Sequence, residues 1–284
     1  MTEDRKSVDA ISVTDLSKTF AGEWSLFSGR GYEIRAVRDI TLALRYGETL
    51  AVVGESGSGK STLARMMVGL ETPTSGDMRI TGKDAAALRA EGPRAFGRVI
   101  QYVFQDPVSS LNPRKTVDAI LDPPLRLLKG YDRVRRRARM KELMDAVQMP
   151  ANALERYPHE FSGGQAQRIA IARALAAEPR IIVLDEPVSA LDVSVQAQIL
   201  LLLEDLRKEF DMSYLFISHD LAVVESISDR VAVMYSGEIV EIAPAEQLFR
   251  SPRHEYTRKL LSSAPRLKTA WTPRSTGGRI AAHE

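Results

Sequence analysis

Hydrophobic and polar residues alternate in two short segments near the start of the chain. Ile11 and Val13 mark the first segment, and the apolar positions of residues 40–44 mark the second. A period of two is typical of strands with one buried face, so we predict an antiparallel β lobe here. The stretch from Ala21 to Arg35 contains several glycines without a steady period, which predicts a long loop.

Continuous apolar runs replace this alternation further along the chain. Leu50–Val53, Ile181–Leu184 and Tyr214–Ile217 are short and apolar throughout, as expected for parallel strands that helices cover on both faces. The pattern from Val117 to Val147 has the period of a helix. The chain is therefore predicted to be α/β, with a parallel core, an antiparallel lobe and a helical part.

The composition narrows the chemistry without assigning a function. The 284 residues are 44% hydrophobic and 27% charged, and 39 basic against 37 acidic side chains leave a formal charge of +2. This balance is ordinary for a globular protein, and we expect no nucleic-acid partner. Cysteine is absent, which excludes disulfides, thiolate zinc sites and cysteine-ligated iron–sulfur clusters. Any metal must be held mainly by oxygen.

The apolar segments are too short to predict a membrane span. Residues 1–10 are polar and charged, unlike a secretory signal, and the longest aliphatic run, Ile199–Leu203, is far below the roughly 20 residues that cross a bilayer. We therefore expect a cytoplasmic chain whose membrane role is peripheral. The basic run Arg133–Lys141 has two interpretations: a solvated helix face, or a surface for lipid headgroups or an acidic partner.

A glycine-rich segment with the sequence GESGSGKS follows the buried run Leu50–Val53 and precedes a stretch compatible with a helix. In such a loop, backbone N–H groups and the helix N-terminus face an anion, Lys60 reaches the terminal phosphates, and the Ser61 hydroxyl can ligate magnesium. The residues predicted to bind a nucleotide triphosphate here are Gly54, Glu55, Ser56, Gly57, Ser58, Gly59, Lys60, Ser61 and Thr62.

Two adjacent carboxylates, Asp185 and Glu186, end the second apolar run. The carboxyl ends of parallel strands are where ligands bind in open α/β sheets. Asp185 is predicted to hold magnesium, directly or through water, and Glu186 to orient or deprotonate the attacking water.

A third motif, Ser162-Gly163-Gly164-Gln165, precedes a helical stretch over Gln167–Ala177. Small residues at a helix N-terminus form a second anion site. One nucleotide can occupy both anion sites only if they face each other across a boundary between subunits.

These three motifs, in this order, resemble the ATPase cassette of ABC transporters, and the resemblance covers about residues 10–250. It implies a P-loop, RecA-like core and ATP with Mg²⁺ as cofactors. Gln105 resembles the glutamine that links magnesium to the membrane subunits, and His219 resembles the histidine that contacts the γ-phosphate. The loop Ser189–Asp192 would cross the dimer, with Asp192 near the nucleotide. The family stacks adenine on an aromatic residue near the first strand, which is Phe20 or Tyr32.

The resemblance also divides the chain and predicts its partners. Residues 1–106 would hold the β lobe and the P-loop part of the core, 107–168 a helical subdomain, 169–250 the rest of the core, and 251–284 a C-terminal extension. The partners would be a second ATPase chain, identical or paralogous, two transmembrane permease subunits and, indirectly, an extracytoplasmic solute-binding protein. The chain would sit at the cytoplasmic face of the cell membrane.

Two further strings look like the dipeptide, oligopeptide and nickel importer branch of the family. They are Gln105–Arg114, read as QDPVSSLNPR, and Ser251–Leu261, read as SPRHEYTRKLL. The alternative is that both belong to shared surface structure without information on the substrate. Some members of the branch carry a C-terminal cysteine cluster, which this chain lacks. Peptide import is the implied function, with nickel or another small solute as the alternative.

Other functional classes of the family fit less well. Chromosome and repair ATPases separate the phosphate loop from the third motif by long coiled coils, and translation factors usually have two cassettes, whereas this chain has one compact cassette. A degenerate cassette that only binds nucleotide would not need Glu186 and His219, and both are present. The sequence therefore favours an ATP-hydrolysing transport subunit.

Overall fold

A computed structural model describes residues 9–21 and 33–263 of the chain. Tyr32 and the segment Thr272–Glu284, which is predicted to fray, lie outside the described residues. The strands are β1 Ile11–Ala21, β2 Glu33–Leu44, β3 Thr49–Val53, β4 Ser75–Ile80, β5 Lys83–Asp84, β6 Ile100–Val103, β7 Ile181–Asp185, β8 Ser213–Ile217, β9 Arg230–Tyr235 and β10 Glu238–Pro244. The helices are α1 Lys60–Met67, α2 Ala85–Ala90, α3 Pro93–Val99, α4 Pro107–Ser110, α5 Val117–Leu127, α6 Arg133–Ala146, α7 Gly163–Leu175, α8 Val193–Glu209, α9 Leu221–Ile227, α10 Ala245–Arg250 and α11 Glu255–Ser263.

A six-stranded sheet in the order β10-β9-β3-β8-β7-β6 forms the centre of the fold. The strands from β9 to β6 run parallel, and β10 pairs antiparallel with β9. Alternate residues of β3 enter two separate cores: Leu50 and Val52 pack with α1, and Ala51 and Val53 pack on the opposite face. Burial on both faces explains the continuous apolar run, and the predicted α/β core is confirmed.

A second, antiparallel sheet in the order β2-β1-β4-β5 forms the predicted N-terminal lobe. The loop predicted over Ala21–Arg35 is wrong at both ends, because Ala21 pairs with Glu33 and Phe20 pairs with Ile34. Shifts of register along β1 interrupt its alternation. Pairing between distant strands therefore extends both strands past the point where the sequence pattern stops.

Helices α4 to α7 and two 3₁₀ turns, Ala151–Glu155 and Pro158–Glu160, form the helical part. The helical pattern over Val117–Val147 comprises two helices, separated at Gly130, whose φ is +70°. Asp132 starts the second helix, with Oδ1 accepting the Arg135 N–H at 2.9 Å. The predicted boundary at residue 168 falls inside α7. The division of the chain into these four parts stays a prediction. Within residues 9–21 and 33–263, no helix is both long and apolar enough to cross a membrane.

The basic run Arg133–Lys141 lies on α6 and is partly engaged within the chain. The Arg135 guanidinium stacks on Tyr131 at 3.8 Å, Arg136 pairs with Asp122 at 2.6 Å, and Arg139 pairs with a neighbouring carboxylate at 2.7 Å. These contacts favour the interpretation as a solvated, internally paired helix face.

Candidate functional site

The phosphate loop connects the buried strand β3 to helix α1, and Lys60 folds back into it. Lys60 Nζ donates to the carbonyl oxygens of Gly54 and Glu55, each at 2.8 Å. Burial lowers the pKa of Lys60, and the nearby carboxylates of Glu186, Asp185 and Glu55 oppose that shift. The ammonium group is thus held inside the loop by carbonyl groups that a phosphate oxygen could replace.

Two neighbouring elements enclose the loop closely. Gly59 has a φ of +103°, and a Cβ at this position would collide with the carbonyl oxygen of Ala36 in β2. The Gly237 N–H, in the turn between β9 and β10, donates to the Ser58 carbonyl at 3.0 Å. The loop is therefore packed between the antiparallel lobe and the edge of the central sheet.

Asp185 lies at the end of β7 and faces the first turn of α1. Its Oδ1 accepts from Ser61 Oγ at 3.3 Å, and its Oδ2 accepts from the Tyr102 hydroxyl of β6 at 2.5 Å. Burial raises the pKa of Tyr102, and Asp185 adds to the shift, so this hydroxyl keeps its proton as a donor.

The oxygens of Ser61 and Asp185 fit the hard-ligand chemistry of Mg²⁺. Among the described residues, no group of three or more His, Asp or Glu side chains is placed to hold a metal ion. Mg²⁺ usually completes its shell with substrate phosphates and water, so a hydroxyl and one carboxylate suffice for such a site.

Glu186 brings the three predicted catalytic side chains together. Its Oε2 accepts from Gln105 Nε2 at 2.8 Å, and its Oε1 lies 3.0 Å from His219 Nδ1. Its backbone is left-handed, with φ at +48°, and its N–H donates to the Ile217 carbonyl at 2.9 Å. Such strained positions in non-glycine residues concentrate at functional sites.

One open cavity of about 790 Å³ joins the phosphate loop to these catalytic side chains. Its lining residues are Ser56, Gly57, Gly59, Lys60, Ser61, Thr62, Gln105, Glu186 and His219, together with Ile34, Arg35, Ala36, Arg38, Ser236 and Gly237. Gly54, Glu55 and Ser58 belong to the loop without lining the cavity. Phe20 does not line it either, but its cross-strand partner Ile34 does.

The motif at residues 162–165 begins α7 and is capped by its own side chains. The Gln165 N–H donates to Ser162 Oγ at 3.4 Å, and Gln165 Oε1 accepts the Ser162 N–H at 3.1 Å, which is a capping box. Ser162, Gly163 and Gln165 are exposed. A Cβ at Gly164 would lie 2.5 Å from Val195 Cγ1, so α7 and α8 approach closely there.

Asp192 starts the neighbouring helix α8, with Oδ1 accepting the Val195 N–H at 3.0 Å and the Ser194 hydroxyl at 2.6 Å. These hydrogen bonds lower the pKa of Asp192, and the bond from the Ser194 hydroxyl has the largest effect. Neither Asp192 nor any of residues 162–165 lines the cavity around Lys60. Within one chain, the predicted second anion site is therefore separate from the cavity around Lys60.

Several residues of the site are missing from the sequence prediction. Tyr102 contacts Asp185, and Arg35, Arg38 and Gly237 line the cavity. The Ser236-Gly237 dipeptide after an apolar run is a readable turn signal. For the other three residues, no local pattern in the sequence indicates that the fold brings them to the loop.

Known proteins match most of the chain. A profile of the ABC transporter family matches residues 37–189, and one for the C-terminal region of oligopeptide/dipeptide transporters matches residues 240–283. The chain is 48% identical over 256 residues to the oligopeptide transport ATP-binding protein AppF of Bacillus subtilis, covering 90% of this chain and 78% of the relative. It is 45% identical over 255 residues to the di/tripeptide transport ATP-binding protein DppF of Pseudomonas aeruginosa, covering 90% and 79%.

Solved structures agree with these relatives. The fold matches the dimeric post-hydrolysis state of the ATP-binding cassette MJ0796 bound to ADP and Pi, with a TM-score of 0.72 and 28% identity, covering 83% of this chain and 98% of that one. It also matches cbiO1 of Clostridium perfringens, with a TM-score of 0.73 and 26% identity, covering 91% and 96%. Together with the phosphate loop and the adjacent carboxylates Asp185 and Glu186, these matches show that the chain belongs to the ABC transporter family, as one of its ATP-hydrolysing cassettes.

Proposed function

We propose that this chain uses ATP binding and hydrolysis to power the import of peptides through separate membrane subunits. The observation that carries the proposal is the single cavity that joins Lys60 and Ser61 of the phosphate loop to Gln105, Glu186 and His219. The match of residues 240–283 to the C-terminal region of oligopeptide/dipeptide transporters and the names of the relatives support peptides as the cargo.

Each side chain at the cavity has a role in this proposal. Lys60 exchanges its carbonyl partners for the terminal phosphates, and the helix N-terminus and the remaining loop N–H groups bind the other phosphate oxygens. Glu186 orients the attacking water and accepts its proton, and His219 contacts the γ-phosphate. Phe20 lies outside the cavity but pairs across the strands with the lining residue Ile34, and it would stack on the adenine.

Ser61, Asp185 and Gln105 are the proposed ligands of magnesium, directly or through water. When bound, the ion neutralises charge on the phosphate oxygens. Tyr102 keeps Asp185 oriented toward Ser61 through its hydrogen bond. Gln105 follows strand β6 and also contacts Glu186. A membrane subunit that moved the end of β6 would therefore displace the Gln105 amide from the Glu186 carboxylate.

The complete site is proposed to need two cassette chains, identical or paralogous. Ser162, Gly163, Gly164, Gln165 and Asp192 bind the nucleotide held by the partner's phosphate loop, since they lie away from the cavity of their own chain. The dimeric cassette MJ0796 supports this arrangement. Closure of the dimer around ATP would move the membrane subunits, and hydrolysis would reset it.

The wider assembly is proposed to contain two permease subunits and, indirectly, an extracytoplasmic solute-binding protein. The cassette would associate peripherally with the cytoplasmic face of the cell membrane. Cargo contacts the receptor and the permeases, so this chain drives transport without selecting the substrate.

Affinity capture from membranes, followed by reconstitution of the captured complex with its receptor in vesicles, tests this function. We expect two permeases to co-purify and labelled di- or oligopeptides to accumulate only with ATP, with a Glu186→Gln complex as the inactive control. ATP-dependent uptake of nickel without uptake of peptides would contradict the cargo. Capture without any membrane subunit would contradict the transport function.

A further inference from the structure

The C-terminal helix α11 reaches the phosphate loop from the far end of the chain. The Glu55 N–H donates to the hydroxyl oxygen of Tyr256 at 3.2 Å, across a separation of 201 residues. The Tyr256 side chain is nearly buried, with 9% of its surface exposed. A buried tyrosine usually places its hydroxyl against a specific partner, and here that partner is the backbone of the nucleotide-binding loop.

Strand β10 fixes the position of this helix. The two carboxylate oxygens of Glu241 accept the N–H groups of Arg253 and His254, each at 2.9 Å. His254 Nδ1 in turn accepts the Tyr256 N–H at 3.2 Å, and Thr257 is fully buried. The hydroxyl of Tyr256 is thus placed by the central sheet.

The turn between β9 and β10, beside Tyr256, makes a second contact with the phosphate loop. The Tyr256 ring packs on the ring of Tyr235 with centroids 4.2 Å apart. Tyr235 ends β9, and Gly237 in the next turn donates its N–H to the Ser58 carbonyl at 3.0 Å. The loop backbone is therefore held at both Glu55 and Ser58 by adjoining parts of the sheet edge.

The contact at Glu55 matters most when Lys60 changes partners. In this structure Lys60 Nζ holds the Glu55 carbonyl at 2.8 Å, while Tyr256 holds the Glu55 N–H. If Lys60 turned to a phosphate, the hydrogen bond of Tyr256 would still hold the Glu55 N–H. We propose that Tyr256 is a positioning residue that keeps the start of the phosphate loop in its binding shape, so that helix α11 sets the affinity for ATP. This inference rests on the proposed ATP site.

Tyr256→Phe in the full chain tests the proposal, because it removes the hydroxyl and keeps the ring packing. Loss of one hydrogen bond of ordinary strength should raise both the Kd and the KM for ATP about fivefold. The kcat should stay within about twofold, because the group does not touch the reacting atoms. Fluorescent ATP-analogue binding, steady-state phosphate release and the urea midpoint are measured together. Tyr235→Phe is the matched control, and it should behave as wild type.

Lys60→Ala separates failure of this inference from failure of the site. If Lys60→Ala binds ATP weakly while Tyr256→Phe matches wild type, the positioning role is wrong and the site stands. If Lys60→Ala binds ATP normally, the site itself is wrong, and the inference falls with it. A Tyr256→Phe variant that loses kcat and urea midpoint together with affinity would show a merely structural role and contradict the proposal.

Discussion

The two ends of the parallel sheet carry similar charged residues in opposite arrangements. At the carboxyl ends, Lys60, Glu186 and His219 line an open cavity, and Lys60 bonds to carbonyl groups of its own loop. The contacts of Glu186 are with Gln105 and His219, two polar side chains that also face the cavity. Each of these partners can be exchanged for a ligand.

At the amino ends, the charged groups are matched with one another. Arg230 Nη1 lies 3.1 and 3.3 Å from the two carboxylate oxygens of Glu48, which is 7% exposed. Asp229 Oδ2 accepts the Thr49 N–H at 2.8 Å and pairs with Arg207 at 3.0 Å. Strand β3, only five residues long, separates this closed network from the phosphate loop.

The role of each of these two glutamates follows from the end of the strands at which it lies. Glu48 and Glu186 are the same residue type, and each has a nitrogen-bearing side chain within hydrogen-bond distance: Arg230 for Glu48 and His219 for Glu186. Glu48 is nearly buried and pairs with Arg230, so removing it leaves a partly buried cation without its carboxylate. Glu186 faces the cavity, so removing its charge should affect turnover and leave the fold intact.

Glu186→Gln should produce the largest effect. Without a base for the attacking water, ATP turnover should fall by at least about 100-fold, while the free energy of unfolding changes by less than about 1 kcal/mol. ATP-bound dimers should accumulate, because binding survives. Phosphate release, size-exclusion chromatography and urea denaturation measure the three results. Undiminished steady-state hydrolysis would show that Glu186 is not the base.

Glu48→Ala should show the reverse behaviour. Arg230 loses its charged partner, which should lower the free energy of unfolding by about 2 kcal/mol, with ATP affinity unchanged. The control is Glu246→Ala, which breaks an exposed pair with Arg250 and should change stability by less than about 1 kcal/mol. Urea denaturation measures both free energies of unfolding. An equal decrease in the two variants, or a loss of ATP affinity in Glu48→Ala, would contradict the contrast between the two ends of the sheet.

Phe20→Ala is expected to have the smallest effect of these three substitutions. Loss of a ring stacked on adenine should weaken ATP binding about tenfold, but it should leave the affinity for inorganic triphosphate unchanged. Competition binding with both ligands measures the difference. Tyr32→Ala is the matched variant: if it loses ATP affinity and Phe20→Ala does not, Tyr32 is the stacking residue.

The parts of the site that are contiguous in the chain could be predicted from the sequence. The phosphate loop, Asp185 and Glu186 are each recognisable because a buried strand directly precedes them. Tyr102 and Arg38 could not be predicted, since they reach the site only through strand pairing and packing between the two sheets. The strand ends near Glu33 were missed for the same reason, because their pairing with β1 does not depend on a local hydrophobic period.

The motif at residues 162–165 is a different case. Its residues are recognisable in the sequence, and the structure places them on a well-capped helix outside the cavity of their own chain. What they bind cannot be read from one chain, because the proposed ligand is held by another. Two variants of the chain must therefore be combined to test whether the site is shared between subunits.

Subunit complementation between Lys60→Ala and Ser162→Asp tests this claim most directly. Aspartate starts helices as well as serine does, so Ser162→Asp keeps the cap of α7 while adding a charge that repels phosphate. A charge at Gly164 would be less informative, since a Cβ there collides with Val195. Ser162→Asn, which keeps the cap without the charge, is the control.

Each variant alone should be inactive in steady-state ATPase assays, and Ser162→Asp should still bind ATP as a dilute monomer. An equal mixture should recover about a quarter of wild-type activity, because half of the randomly formed dimers contain one intact site of two. Wild type alone should be active, which shows that no second kind of chain is needed. If the mixture then stays as inactive as the separate variants, or if Ser162→Asp abolishes ATP binding to the monomer as Lys60→Ala does, two copies of this chain do not share the site and the proposal is wrong.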